Sequence, residues 1–159
     1  MQIGIDVGAT KIESVVLEDG GKEQHRTRTA CPKEYKQILK TVKEINDNLE
    51  KTFKKNLPIG VCHPGIHSPQ TGLVKNAPNC FWLEKKPFQK DLRQLLDKEV
   101  FCENDANCFA LSESIDGAGK NHKVVYGIIL GSGAGGGLVV DKKIVSGPNG
   151  VAGEWGHNQ

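Results

Sequence analysis

The sequence predicts an α/β fold, one layered unit of strands and helices followed by the opening hairpin of a second such unit. Three patterns carry that prediction. Short apolar runs bounded by turn residues alternate with helical stretches, the order of an α/β layer. Two segments, Ile3-Gly4-Ile5-Asp6-Val7-Gly8-Ala9-Thr10-Lys11-Ile12 and Ile128-Ile129-Leu130-Gly131-Ser132-Gly133-Ala134-Gly135-Gly136-Gly137-Leu138, each read as a buried strand, a tight turn of small residues and a strand running back. The two segments also overlay, Asp6-Val7-Gly8-Ala9 on Gly131-Ser132-Gly133-Ala134 and Val15-Val16-Leu17 roughly on Leu138-Val139-Val140, as one unit used twice would.

Taken in order, residues 2–7 and 12–18 form the first hairpin, and a third strand over 23–29 follows the Asp19-Gly20-Gly21 turn. Pro32 marks the exit. From Lys33 to Lys55, apolar residues recur at Tyr35, Ile38, Leu39, Val42, Ile45, Leu49 and Phe53, the three-to-four spacing of an amphipathic helix. A buried strand over Pro58 to Cys62 comes next, and His63-Pro64-Gly65 then turns the chain into a loop that ends near Asn79. Pro87 suits the first turn of a short helix with Phe88, Leu92, Leu95 and Leu96 on its buried face. Val100 to Cys102 is another strand, and Asn104-Asp105 starts a helix running to Asp116. The Gly117-Ala118-Gly119 stretch divides the chain into a first domain, residues 1–119, and the start of a second, residues 120–159. The second holds a hairpin over Val124 to Ile144 and a glycine-rich loop.

Composition fits a soluble protein with one compact core: 159 residues, 37% hydrophobic and 25% charged. A net charge of +2 decides little, and Glu34, Glu44, Asp47 and Glu50 interrupt the lysine-rich run from Lys33 to Lys55, so that run reads as a solvated helix face with no nucleic-acid partner. No apolar run approaches the roughly 20 residues of a membrane span and no signal-peptide pattern precedes the first strand, so the expectation is a cytoplasmic protein without a membrane partner. Cys31, Cys62, Cys80, Cys102 and Cys108 are odd in number and widely spaced, which reads as reduced thiols used as small apolar fillers.

The chemistry starts from the two hairpins. Turns without side-chain bulk let backbone N–H groups close on an anion, so a nucleotide's phosphates are the natural ligand. Asn104 and Asp105 carry a bland alternative, because both residue types are favoured helix caps. What favours function is the pair, since one residue suffices for a cap.

These pieces together resemble the ROK family of sugar kinases, within the actin-like superfamily of two-lobed ATPases. The motifs are Asp6-Val7-Gly8-Ala9-Thr10-Lys11, Glu103-Asn104-Asp105-Ala106-Asn107-Cys108, Leu130-Gly131-Ser132-Gly133-Ala134-Gly135-Gly136-Gly137 and Gly153-Glu154-Trp155-Gly156-His157, found in that order. The stretches Ser68 to Ala77 with Trp82-Leu83, and Gly150 to Asn158, look most like the fructokinase branch. The resemblance covers essentially the whole chain but only the first half of a typical member. It implies an actin-like ATPase (ribonuclease H-like) lobe with a mixed sheet, followed by the opening hairpin of a second such lobe.

It also implies roles. ATP would be held by Asp6, Gly8, Ala9, Thr10 and Lys11 in the first hairpin and by Gly131, Ser132, Gly133, Ala134, Gly135 and Gly136 in the second, with Asp6 orienting a water of Mg²⁺. Asp105 would be the base that accepts the proton of the sugar's primary hydroxyl, kept ionised at neutral pH by the helix N-terminus. Asn104 would hold a neighbouring hydroxyl, with Pro64, Gly65, Asn79, Glu154 and His157 ringing the hexose. In the family that histidine also ligates a structural Zn²⁺ with cysteines this chain lacks, so His157 alone should not hold the metal. His25, His63, His67 and His122 are discounted as incidental.

The expected activity is phosphorylation of fructose to fructose 6-phosphate, with glucose, mannose or an N-acetylhexosamine as alternatives. A non-catalytic sugar sensor and an actin-like interaction module rank behind it. Because the chain stops as the second lobe begins, it is expected to be a piece of a longer protein, a truncated product or a half that pairs with another chain, and to show little kinase activity alone. A homo-oligomer or a second-lobe partner is left open.

Overall fold

The computed structural model describes residues 1–130 and 134–156. Strand β1 (Gln2–Val7) pairs antiparallel with β2 (Lys11–Leu17) from Gln2↔Leu17 to Val7↔Ile12, so alternate residues Ile3, Ile5, Val7, Ile12 and Val16 all enter the core. Strand β3 (Glu23–Ala30) pairs antiparallel with β2 and forms the sheet edge. It is almost entirely exposed, and Arg26 and Arg28 reach back to Glu13 on β2, a charged edge that discourages pairing with another chain.

Helix α1 (Tyr35–Phe53) lays Ile38, Val42, Asn46 and Leu49 on the sheet and ends where Lys54 turns left-handed at φ 52°. It is shorter than the sequence suggests, because Glu34 is extended and lies outside it. Strand β4 (Ile59–His63) runs parallel to β1. The segment that follows, expected to be loop, contains a small ribbon of β5 (Ile66–His67) and β6 (Val74–Lys75). Two-residue strands leave no periodicity to read; the ribbon is closed by Ser68 N–H to Leu73 O at 2.9 Å and Gly72 N–H to Ser68 O at 2.8 Å. A 3-10 turn, Pro78–Cys80, leads on to helix α2 (Phe88–Leu96). Phe88 and Leu92 are fully buried there, but Leu95, expected inside, is 38% exposed.

Strand β7 (Val100–Asn104) pairs parallel with β4, completing a mixed sheet in the order β3-β2-β1-β4-β7. Helix α3 (Asp105–Ile115) leaves β7 without a connecting loop and packs on a second, antiparallel sheet of β8 (Val124–Leu130), β9 (Ala134–Val140) and β10 (Lys143–Ile144), in the order β10-β9-β8. Strand β8 is a sheet edge, not the buried strand its apolar run suggests. It turns Val124, Tyr126, Ile128 and Leu130 outward, each at least 45% exposed.

Glycine sets how closely α3 can lie. A Cβ on Gly127 would stand 2.8 Å from Ala110 Cβ, and one on Gly137 would stand 2.5 Å from the Ala106 carbonyl oxygen. The helix therefore rests almost on the sheet backbone. At its other end Lys142, in the β9–β10 turn, donates to the carbonyls of Ser114 and Lys120, placing a cation where the helix dipole is negative.

Candidate active site

The register of the parallel strands brings the site together. Asp6 lies beside Cys62 and Cys62 beside Glu103, while His63 lies beside Asn104 one residue further on. These are the carboxyl ends of β1, β4 and β7, where open α/β sheets bind ligands.

On the β1 side, the turn into β2 is closed by Gly8 N–H to Lys11 O at 2.9 Å, with Ala9 half-buried against the core and Thr10 and Lys11 exposed. A Cβ at Gly8 would meet the Lys11 carbonyl at 3.1 Å, so the turn is tight enough to favour glycine. Lys11 Nζ lies 3.8 Å from Glu13, whose carboxylate is already engaged by Arg26 and Arg28. Asp6 is exposed at the end of β1, yet the surrounding protein raises its pKa by desolvation. The Cys62 thiol donating at 3.5 Å opposes that rise, Glu13 adds to it and Lys11 again opposes it. Cys62 is thus more than an apolar filler: Cys108, burial and Asp6 together push its pKa far up, and the thiol stays a hydrogen donor.

On the β7 side, the division of labour between Asn104 and Asp105 is resolved. Asn104 is the cap. Its Oδ1 accepts from Asn107 N–H at 3.1 Å, while its amide donates to Gly65 O at 2.9 Å and to Asp105 Oδ1 at 3.1 Å. With both amide hydrogens used and 4% of its surface exposed, it has only a further lone pair on Oδ1 to offer a ligand. Asp105 is the first residue of α3, half-buried, its Oδ1 also accepting from Ala106 N–H at 2.9 Å. Burial raises its pKa, the Ala106 N–H opposes the rise, and the Asp6 carboxylate adds to it. The helix N-terminus alone was expected to hold Asp105 low; desolvation outweighs it. A neighbouring carboxylate of like charge disfavours ionisation, which suits Asp105 to taking a proton.

Gly65 follows from crowding. It adopts φ +78°, and a Cβ there would stand 2.6 Å from Lys75 O. Pro64 precedes it in the same turn, and Asn79 is exposed on the 3-10 turn. Glu154 stands opposite the start of α3: a Cβ at Gly135 would lie 3.6 Å from Ala106 Cβ and 3.8 Å from Glu154 Oε2. Ala134, Gly135 and Gly136 belong to β9 and not to its turn, and Gly136 is packed against Gly153, Tyr126 and Trp155. Gly131, Ser132, Gly133 and His157 lie outside the described residues. Among the described residues, no three His, Cys, Asp or Glu side chains are grouped to hold a metal ion.

Sequence reasoning missed Glu103 and the two histidines it set aside. Glu103 Oε1 accepts from the Asn104 N–H at 2.8 Å and from Asn107 Nδ2 at 3.0 Å, bracing the helix start. His63 and His67 meet Nε2 to Nε2 at 2.9 Å directly behind the Pro64-Gly65 turn. The capping pattern Glu-Asn-x-x-Asn was visible as a signal for the first; nothing local marked the second.

The ROK family model matches residues 2–159. Over 160 residues the chain is 41% identical to N-acetyl-D-glucosamine kinase of Pasteurella multocida, covering all of this chain and 52% of that protein. Among solved structures, a ROK family glucokinase from Streptomyces griseus, in complex with glucose and AMPPNP, superposes with a TM-score of 0.88 at 31% identity over 99% of this chain and 50% of that one. The ROK hexokinase from Thermus thermophilus gives a TM-score of 0.84 at 27% identity over 96% of this chain and 51% of that one. The chain spans about half the length of the curated relatives it matches.

Proposed function

The chain belongs to the ROK family, whose solved members quoted above share its actin-like fold, and on that footing we propose that it carries the catalytic aspartate and a phosphate-facing hairpin of an ATP-dependent sugar kinase. The observation that carries the reading is the pair Asp6 and Asp105 at the carboxyl ends of β1 and β7, on either side of β4 and beside a glycine turn, near enough for the Asp6 charge to be felt at Asp105. Asp105, its pKa raised, accepts the proton of the sugar's primary hydroxyl as that oxygen attacks the γ-phosphorus of ATP and the bond to the β-phosphate oxygen breaks. Glu154, near the same helix start, is read together with Gly65, Asn104 and Asn79 as holding sugar hydroxyls. Asp6 sits where it would face Mg²⁺, which when bound offsets negative charge on the phosphates.

As to substrate, N-acetyl-D-glucosamine replaces fructose as the first choice. The curated relative to which the chain is 41% identical carries that name, and that likeness is what supports the choice. Residues 120–159 are read as the start of a second lobe, whose exposed β8 face would be covered by the remainder of that lobe, in the same chain or in a partner. Free thiols at all five cysteines suit a reducing cytoplasm. Among the described residues, no helix is long and apolar enough to cross a membrane.

The test is ATP-dependent phosphorylation of N-acetylglucosamine, glucose, mannose and fructose, with and without Mg²⁺, by an intact protein containing this sequence. Turnover should be greatest with N-acetylglucosamine, and Asp105→Ala should abolish it while ATP still binds. Near-normal turnover by Asp105→Ala would overturn the assignment. The 159-residue chain alone is expected to turn over little or no sugar.

A further inference from the structure

Behind the sugar-facing turn lies a histidine pair, His63 buried and His67 half-buried, that phosphoryl transfer leaves unused. His63 is fully buried at the end of β4, beside Asn104 in the strand register. Its Nδ1 is 2.9 Å from Pro64 O and its Nε2 is 2.9 Å from Nε2 of His67, whose Nδ1 is 3.3 Å from Gly72 O. Counting protons assigns the tautomers. A carbonyl oxygen only accepts, so Nδ1 of His63 carries a hydrogen. A neutral imidazole has one such hydrogen, so Nε2 of His63 is an acceptor and Nε2 of His67 must donate to it. The hydrogen-less Nδ1 of His67 then faces Gly72 O, and that contact is the longest of the three. Burial, which lowers the His63 pKa to about 4, keeps that ring neutral.

The pair braces a specific turn. His63 is held edge-on to Phe88, with ring centroids 5.4 Å apart at 89°, so it cannot swing toward α2. Its Nδ1–H fixes the Pro64 carbonyl, and the next carbonyl, that of Gly65, takes one hydrogen of the Asn104 amide. The other hydrogen of that amide goes to Asp105 Oδ1. We propose that the His63–His67 pair is a positioning element for Asp105, transmitting its rigidity through the Pro64-Gly65 turn and the Asn104 amide to the carboxylate. The proposal rests on Asp105 being the base, but its geometry is testable without turnover.

Long-range ¹H–¹⁵N correlation spectra of the imidazoles of the wild-type protein at neutral pH decide the tautomers, with no variant required. His63 should appear as neutral Nδ1–H and His67 as neutral Nε2–H; the opposite pattern overturns the proposal. His67→Leu removes the donor, whereas His67→Gln places an amide nitrogen near the lost Nε2. The leucine variant should speed hydrogen exchange of the Asn104 side-chain amide and move the ¹³C-detected titration of Asp105, and the glutamine variant should restore both. In the intact kinase the leucine variant should lower kcat on the order of tenfold with KM for ATP unchanged, with rescue by glutamine. Unaltered Asn104 and Asp105 signals in His67→Leu overturn the inference even in an active kinase. Coupled signals in a protein whose Asp105→Ala variant keeps full turnover instead support the brace and overturn the catalytic reading.

Discussion

Gly137→Ala should separate clearance from flexibility as the reason for the glycine run in β9. The new Cβ would stand 2.5 Å from the Ala106 carbonyl oxygen and 2.9 Å from Ala110 Cβ, whereas Cβ atoms essentially never come within 3.0 Å of a neighbour. The obstacle is backbone, which no rotamer change relieves, so the first turns of α3 must withdraw by about half an ångström. Overpacking of this kind costs about 1–3 kcal/mol. For a chain of this length each kcal/mol shifts the thermal midpoint by about 2–4 °C, giving a fall of roughly 2–12 °C. Gly60→Ala is the control. It lies in a strand of the other sheet, nothing stands within 4 Å of its would-be Cβ, and its φ is not positive, so alanine there should be neutral or stabilise by about 0.4–1 kcal/mol. Urea unfolding followed by circular dichroism reads both. Equal midpoints for the two variants would refute the claim that α3 rests on Gly137. Because Asp105 begins α3, the proposed kinase role also requires that Gly137→Ala impair sugar phosphorylation by an intact protein containing this sequence.

Other expectations follow from single contacts. Lys98 Nζ reaches Asn46 Oδ1 at 2.6 Å, Glu50 Oε1 at 2.7 Å and Leu57 O at 3.0 Å in a mostly buried setting, so Lys98→Ala should cost about 2–3 kcal/mol, less than a fully buried pair would. Burial raises the Glu50 pKa, but Lys98 and the Leu57 N–H outweigh it and the net shift is downward from 4.5. The Lys98 contribution should therefore be full above that pH and fade as the pH falls below it, seen as converging unfolding midpoints of the two proteins. Asp105→Asn should raise the thermal midpoint at pH 7 while abolishing catalysis. The folded state favours protonated Asp105, so stability is lost progressively as the pH rises from 3.8 through its raised folded pKa, and the gain from asparagine should vanish as the pH falls to 3.8. Lys142→Met should cost about 0.5–1.5 kcal/mol in urea unfolding by leaving the Ser114 and Lys120 carbonyls to water.

Much of this protein was legible from its residues alone. The hairpin around Gly8, the helix carrying Ile38, Val42 and Leu49, and the helix start at Asn104 are set by interactions a few residues long: alternation, three-to-four spacing, turn and cap chemistry. The order of the motifs sufficed to identify the family. What local pattern could not supply is whatever depends on groups distant in the chain. The ribbon of β5 and β6 is too short for periodicity, and the exposure of β8 is set by what does and does not pack on it. The Asn104 amide is held by Gly65, 39 residues upstream, and the raised pKa of Asp105 comes first from burial, with Asp6 adding to it. The meeting of His63 and His67, and the use of Gly127 and Gly137 as clearance for α3, are likewise invisible until the sheets are assembled. Sequence by itself determined the elements and the chemistry they carry, because those are short-range. Tertiary structure decided the electrostatics and the contacts, because desolvation and steric clearance sum over neighbours that only folding brings near.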